Sequence, residues 1–223
     1  TVPVITLTGE STVTIEVGSI YTDAGATATD LSGEISVIST GTVDTSVVGT
    51  YTVTYNATDA SGNEAAAVSR TVNVVDTTVP VITLTGEATV TIEVGSTYTD
   101  AGATATDNYD GDITSSIITE NPVDAITLGI YTVTYNVTDA NGNVAVEVTR
   151  IVNVVDTTVP VITLTGESTV TIEVGSTYTD AGASAIDTYD GDLTSSIVTV
   201  NPVDATTVGT YTVTYNVTDT NGN

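Results

Sequence analysis

The chain has 223 residues, enough for one large domain or two to three small ones. Its 28 acidic residues stand against only 2 basic ones, Arg70 and Arg150, and the net charge of −26 excludes nucleic acid and argues against an anionic membrane surface. Without His or Cys there is no Ser–His or Cys–His nucleophile, no disulfide, and no soft or imidazole metal ligand.

Other absences narrow the reading further. No Lys is present, so lysine–asparagine isopeptide cross-links are excluded as well. So much like charge destabilises a compact state unless counter-ions neutralise it, which points to a bound cation as the remaining staple. No apolar run approaches the roughly 18 residues of a membrane span, so no membrane insertion is expected. There is no starting Met or signal peptide, and Thr1 begins in mid-pattern, so the sequence reads as a window on a longer chain.

Thr-Val-Pro-Val-Ile-Thr-Leu-Thr-Gly-Glu occurs at Thr1, Thr78 and Thr158. Pro80 and Pro160 stand 80 residues apart, and Pro3 and Pro80 stand 77 apart. The three residues absent from the first copy fall between Thr29 and Tyr51. This period is too long for a solenoid unit and fits a small independent domain. The expected division is 1–76, 77–156 and 157–223, with the last strand of the third repeat missing from the sequence. Continuation of the chain is favoured over a strand donated by another molecule as the source of that strand.

The middle repeat reads as all-β. Residues 81–85 alternate and stop at Gly86, and 88–94 alternate again before the Gly95-Ser96 turn. Residues 98–107 read as a third strand, loosened by Gly102. An acidic loop follows, and then 113–120 as a strand ended by Asn121-Pro122. Residues 123–129 read as either a short edge strand or a crossing loop. The clearest strand is 131–139. Tyr131, Val133, Tyr135 and Val137 take one face, and Thr132, Thr134, Asn136 and Thr138 the other, as in a strand with one face in a core and one in water. Asn141-Gly142 signals a tight hairpin, and 144–155 reads as the last strand.

Short strands with turn signals at this spacing suggest a sandwich. Tyr51, Tyr131 and Tyr211 each follow a Gly-x pair at the start of the penultimate strand, two residues before Val53, Val133 and Val213. That is the spacing of a tyrosine corner, with Val where antibody domains carry Cys.

Five segments carry a resemblance across essentially the whole chain. They are Pro-Val-Ile-Thr-Leu-Thr-Gly, Tyr-Thr-Asp-Ala-Gly-Ala, Tyr-Asp-Gly-Asp, Val-Gly-Thr-Tyr-Thr-Val-Thr-Tyr and Thr-Asp-Ala-Asn-Gly-Asn. The repeat resembles the bacterial immunoglobulin-like domains found in tandem in large surface adhesins, a group similar to hyalin repeats. The resemblance implies an all-β fold, a tandem array of immunoglobulin-like β-sandwich domains, in an extracellular or cell-surface protein. It implies no catalytic activity and fixes no ligand.

The carboxylates concentrate in one loop of each later repeat. Asp107, Asp110 and Asp112 bend around Gly111, and Asp187, Asp190 and Asp192 around Gly191. In an immunoglobulin-like sandwich this loop and the last hairpin lie where the chain enters. Asp107, Asp110 and Asp112 are therefore expected near Asp139, Asn141, Asn143 and the linker residue Asp76. The next joint would gather Asp156, Asp187, Asp190, Asp192, Asp219, Asn221 and Asn223. Such an oxygen-only supply suits Ca²⁺, which takes 6–8 oxygen ligands, and disfavours zinc or copper. The bland reading is that Asp, Asn and Gly simply make polar turns. The first repeat has Asp30-Leu31-Ser32-Gly33-Glu34 instead, and a weaker or absent site is expected there. Asp100, Asp180, Glu93 and Glu173 lie at the opposite end of their repeats and are expected to cap turns or add a ligand to the following joint.

The leading expectation is a non-enzymatic, extracellular structural or adhesive array, a rod or fibre stiffened by calcium where domains join. Its expected partners are adjacent repeats or neighbouring copies, and a surface glycan or protein receptor. The alternatives are a carbohydrate- or protein-binding module array, or accessory domains of a larger secreted enzyme. Asn56, Asn136 and Asn216 stand in Asn-x-Thr sequons on the outward strand face, and read equally as exposed polar strand residues.

Overall fold

The computed structural model describes residues 1–223. Its only helical pieces are the short 3₁₀ turns Thr114–Ser116 and Thr194–Ser196, so the fold is all-β. The chain separates into two compact units. One holds Thr1–Thr83, Ala103–Ile118 and Asn136–Glu147, and the other Leu84–Gly102, Thr119–Tyr135 and Val148–Asn223.

In the first unit, Val4–Leu7 pairs antiparallel with Ala26–Asp30, which pairs with Gly33–Ile35. A second sheet runs in the order Thr12–Glu16, Val68–Val75, Gly49–Ala57, Val37–Thr40. Within it Thr12–Glu16 lies parallel to Val68–Val75, and the other neighbours are antiparallel. Side chains alternate between faces along a strand, and each strand here carries its larger apolar residues with period two. Ile5, Ala28, Val53, Tyr55 and Ala57 therefore meet in one core, with Leu7, Ile35 and Val68 packed against it. The outward positions are filled by Thr, Ser and Asn: Thr50 Oγ1 donates to Asn73 Oδ1 at 3.0 Å, and Thr54 and Ser69 pair at 3.2 Å.

The second unit is built on the same strand pattern. Its largest sheet orders Ile118–Glu120, Gly129–Asn136, Val148–Val155 and Thr89–Glu93, the last pair parallel. Val133, Tyr135 and Val152 are fully buried there, and Val137, which belongs to the first unit, is buried too, as the alternation of 131–139 predicts. Further on, Val161–Leu164, Ala183–Asp187 and Gly191–Asp192 form a three-stranded sheet, and Val198–Val200 pairs with Thr214–Asn216. Residues 169–173, equivalent to Thr89–Glu93, form no strand. Their ladder partner in the second repeat is Val148–Val155, and the sequence holds no third copy of that strand.

Three strand expectations need correction. Residues 98–107 are not one strand: the strand is Ala103–Asp107, because Gly102 adopts φ 76° and the preceding segment turns away to meet Arg150. Residues 113–120 break into the 3₁₀ turn and Ile118–Glu120, with Thr114 Oγ1 accepting the Ala105 N–H at 3.0 Å. The last strand is Val148–Val155, and Val144 makes only an isolated bridge to Thr138. The tyrosine corner is present three times. Tyr51 donates to the Val47 carbonyl at 2.9 Å, Tyr131 to Thr127 at 2.9 Å, and Tyr211 to Thr207 at 3.1 Å.

The two arginines are internal struts. Arg70 and Arg150 are each 1% exposed. Arg150 Nε donates to the Glu87 carbonyl at 2.9 Å, its Nη2 reaches the Thr85 and Gly102 carbonyls, and its Nη1 meets Asp100 and the Tyr135 hydroxyl. Arg70 repeats the pattern with Glu10, Thr8, Gly25, Asp23 and Tyr55. The guanidinium carbons lie 5.6 Å and 5.7 Å from the Tyr55 and Tyr135 ring centres, within cation–π range. Asp100 is thus committed to Arg150 and adds nothing to a joint. Burial and the adjoining Asp100 carboxylate push the Tyr135 hydroxyl above its ordinary pKa, and Tyr55 beside Asp23 rises to about 12.

Candidate metal centre

The acidic loop is folded by its own first residue. Asp107 Oδ1 accepts the backbone N–H groups of Tyr109 at 2.8 Å and Asp110 at 3.0 Å, an Asx-type turn. Gly111, at φ 74°, then reverses the chain so that Gly111–Asp112 pairs back onto Thr106 and Asp107. The Asp107 carboxylate is left with Oδ2 buried and without any donor.

The hairpin at Asp139 is built the same way. Asp139 Oδ1 accepts from Asn141 N at 2.9 Å and Asn143 N at 2.7 Å, and its Oδ2 accepts from Asn143 Nδ2 at 2.7 Å. That amide also donates to the Asp76 carbonyl at 3.2 Å, tying the hairpin to the linker. Asp110 Oδ2 accepts the Ala140 N–H at 2.8 Å. Asp76 Oδ1 accepts the Thr78 N–H at 3.2 Å, and Asp76 Oδ2 has no partner although the residue is only 6% exposed.

The outcome is a ring of four carboxylates. One oxygen from each of Asp76, Asp107, Asp110 and Asp139 lies within 4.8 Å of every other, and Asp156, Asp187, Asp190 and Asp219 repeat the arrangement. In the second ring Asn223 Nδ2 donates to the Asp156 carbonyl at 3.1 Å, Thr220 N donates to Asp190 at 2.9 Å, and Asp156 Oδ2 is again buried without a partner. No basic side chain answers either ring, because both arginines are bound to Asp23 and Asp100.

The electrostatics differ around the ring. Burial pushes the Asp76 carboxyl above its ordinary value, and the neighbouring charges of Asp107 and Asp139 push the same way. Asp139 is also penalised by burial, but the donors from Asn143, Asn141 and Gly142 outweigh that and hold it below the usual range. Asp187 is held low by backbone N–H groups, chiefly that of Asp190.

Not every residue expected in these groups joins them. Asp112 and Asp192 stand outside the rings, each accepting the N–H of a threonine two residues on, Thr114 or Thr194, at 2.9 Å. Asn141 and Asn221 donate their backbone N–H groups to Asp139 and Asp219, and Asn143 and Asn223 brace the linker. In the first repeat Asp30 caps Ser32 at 2.7 Å, and no residue there corresponds to Asp110. Glu93 is not in a ring. It accepts the N–H of Thr157 at 2.9 Å, capping the start of the linker. The burial of Arg70 and Arg150 escapes sequence reading, although their position opposite Val53 and Val133, inward-facing in the neighbouring strand, is the signal that would have shown it.

Chemically each ring offers carboxylate oxygens, held in place by backbone donors, with one or two of them buried and unpaired. Such a group can hold a hard metal ion. Comparison with known proteins follows the repeat pattern. Hyalin of Strongylocentrotus purpuratus is 33% identical over 207 residues, 88% of this chain and 17% of its own length. Hyalin of Lytechinus variegatus is 36% identical over 245 residues, 100% of this chain and 44% of its own. The chain therefore spans less than half of either relative. A solved lipoprotein from Bacteroides thetaiotaomicron is 26% identical over 38% of this chain and 45% of its own, with a TM-score of 0.32. The family described as the Ig-like domain of bacterial surface proteins matches at residues 5–74, 82–154 and 162–223, once for each copy of the repeat, and the chain belongs to that family.

Proposed function

We propose that this chain is a non-catalytic, extracellular structural or adhesive array of Ig-like repeats, and that Ca²⁺ bound at its acidic rings stiffens the joints into a rod or fibre. The observation that carries the reading is the unpartnered oxygen. Asp76, Asp107 and Asp156 each bury a carboxylate oxygen with no donor. A buried charge left that way is costly unless it is paired or coordinates a metal. Calcium fits the chemistry: it takes carboxylate oxygens in flexible geometry, and the four oxygens of each ring lie within 4.8 Å of one another.

The surface location is supported by the family and by the hyalin likeness. Structural work rather than catalysis is supported by the distribution of the carboxylates. They recur ring by ring in a repeated loop and do not converge on one pocket.

The test is a calcium titration of the whole chain after EDTA treatment, followed by thermal melting and small-angle scattering. Calcium is expected to raise the melting temperature and to lengthen and narrow the distribution of interatomic distances. If saturating calcium changes neither, the stiffened-array reading is wrong.

A further inference from the structure

Inter-domain linkers are ordinarily exposed and flexible. The linkers here are gripped by the sheet that precedes them. Glu16 ends the strand Thr12–Glu16 opposite Val75, and Glu93 ends Thr89–Glu93 opposite Val155. The Glu16 carboxylate accepts Thr77 N at 2.9 Å and 3.2 Å, Thr77 Oγ1 at 2.6 Å and Thr78 Oγ1 at 2.9 Å. Glu93 accepts Thr157 N at 2.9 Å and Thr157 Oγ1 at 2.7 Å. Each glutamate thus fixes the residues directly after a ring aspartate, Asp76 or Asp156.

That grip has a consequence for the ring. The linker aspartate is the one member that neither the acidic loop nor the hairpin supplies, and it is also one whose Oδ2 is buried and unpaired. Its side chain is aimed by the backbone on both sides. Asn143 Nδ2 holds the Asp76 carbonyl from the following repeat, and Glu16 holds Thr77 and Thr78 from the preceding one. We propose that Glu16 and Glu93 are positioning residues for the ion sites, so that each site is completed only when the preceding repeat holds its linker.

This rests on the reading that the rings bind calcium. Groups that hydrogen-bond a metal ligand typically contribute 10–100-fold to affinity, and the glutamates, which act through the neighbouring threonines one link further out, are expected at the low end of that range. The alternative is that the glutamates only tidy the linker, in which case calcium affinity ignores them.

The experiment uses the full chain, with calcium binding measured by isothermal titration calorimetry and melting in EDTA as a control for folding. The wild-type chain is expected to bind two calcium ions. Glu16→Gln should weaken one of them about 10-fold and leave the other unchanged, and Glu93→Gln should do the converse. Melting in EDTA should stay at the wild-type value, which a purely structural role would not predict alongside an affinity loss. Thr77→Val removes only a hydroxyl donor from an exposed linker position, and should weaken the same ion as Glu16→Gln by a smaller factor. It decides the matter if Glu16→Gln also lowers melting in EDTA. Wild-type affinity in both glutamate variants, or in Thr77→Val after such a loss of stability, overturns the positioning role. A wild-type chain that takes up no calcium overturns the parent reading instead.

Discussion

Replacing Asp76 by Asn should have opposite effects with and without calcium. The ring oxygens lie within 4.8 Å of one another. Two unit charges at that distance repel by about 1 kcal/mol in water and about 3.5 kcal/mol at an effective dielectric of 20. Asp76 faces three such neighbours, so its charge opposes the closed joint in metal-free protein. The upward push on its pKa has the same origin, burial first and then Asp107 and Asp139. Proton uptake and small movements relieve part of the repulsion, so about 1–3 kcal/mol is the expected net gain on neutralising it. The Asn carbonyl can keep the bond from Thr78 N, and its amide brings a donor to the place where Oδ2 has none. In EDTA the variant should therefore melt several degrees above the wild type, at roughly 4–8 °C per kcal/mol for a domain of this size. In calcium at 100 times its dissociation constant, the wild type gains about 2.7 kcal/mol from a site that the variant has lost. The order of melting temperatures should reverse. Scanning calorimetry of both proteins in both buffers reads this directly. A variant that melts below the wild type in EDTA, or gains as much from calcium, would refute the account of the ring as crowded charge awaiting an ion.

Two further outcomes concern the arginine struts. Arg150→Ala should destabilise by about 3–5 kcal/mol in chemical denaturation, since it leaves Asp100 and three carbonyls without their donor in a nearly closed site. The pH dependence has a definite sign. Burial works against the charge of Asp100, but the Tyr135 and Tyr98 hydroxyls and Arg150 outweigh it and hold its pKa below 3.8, and Asp23 is likewise held low. These groups therefore contribute stability that is fully present above 3.8 and is lost as pH falls through their folded values. Denaturation in EDTA should show stability falling below that pH, and a flat profile there would remove the struts from the account.

The alternation of 131–139 was enough to place Val133, Tyr135 and Val137 in a core, because side-chain direction in a strand is a local property with period two. The Tyr-Thr-Val spacing likewise located the tyrosine corners, whose bonds reach back only four residues. Membership of Asp76, Asp107, Asp110 and Asp139 in one group was legible because the repeat recurs with the same linker, loop and hairpin. What the sequence left undecided is which of several competing partners each carboxylate takes. Asp112 follows Asp110 by two residues, yet Thr114 claims it and it stands outside the ring. Asp100 read as a cap or ligand: it does cap Gly102 N at 3.2 Å, and an arginine 50 residues away holds it as well. Composition and period determined that this is a repeated, acidic β-protein. Only folding decided which of its many carboxylates answer an arginine, which cap a turn, and which are left buried with an oxygen that no donor reaches.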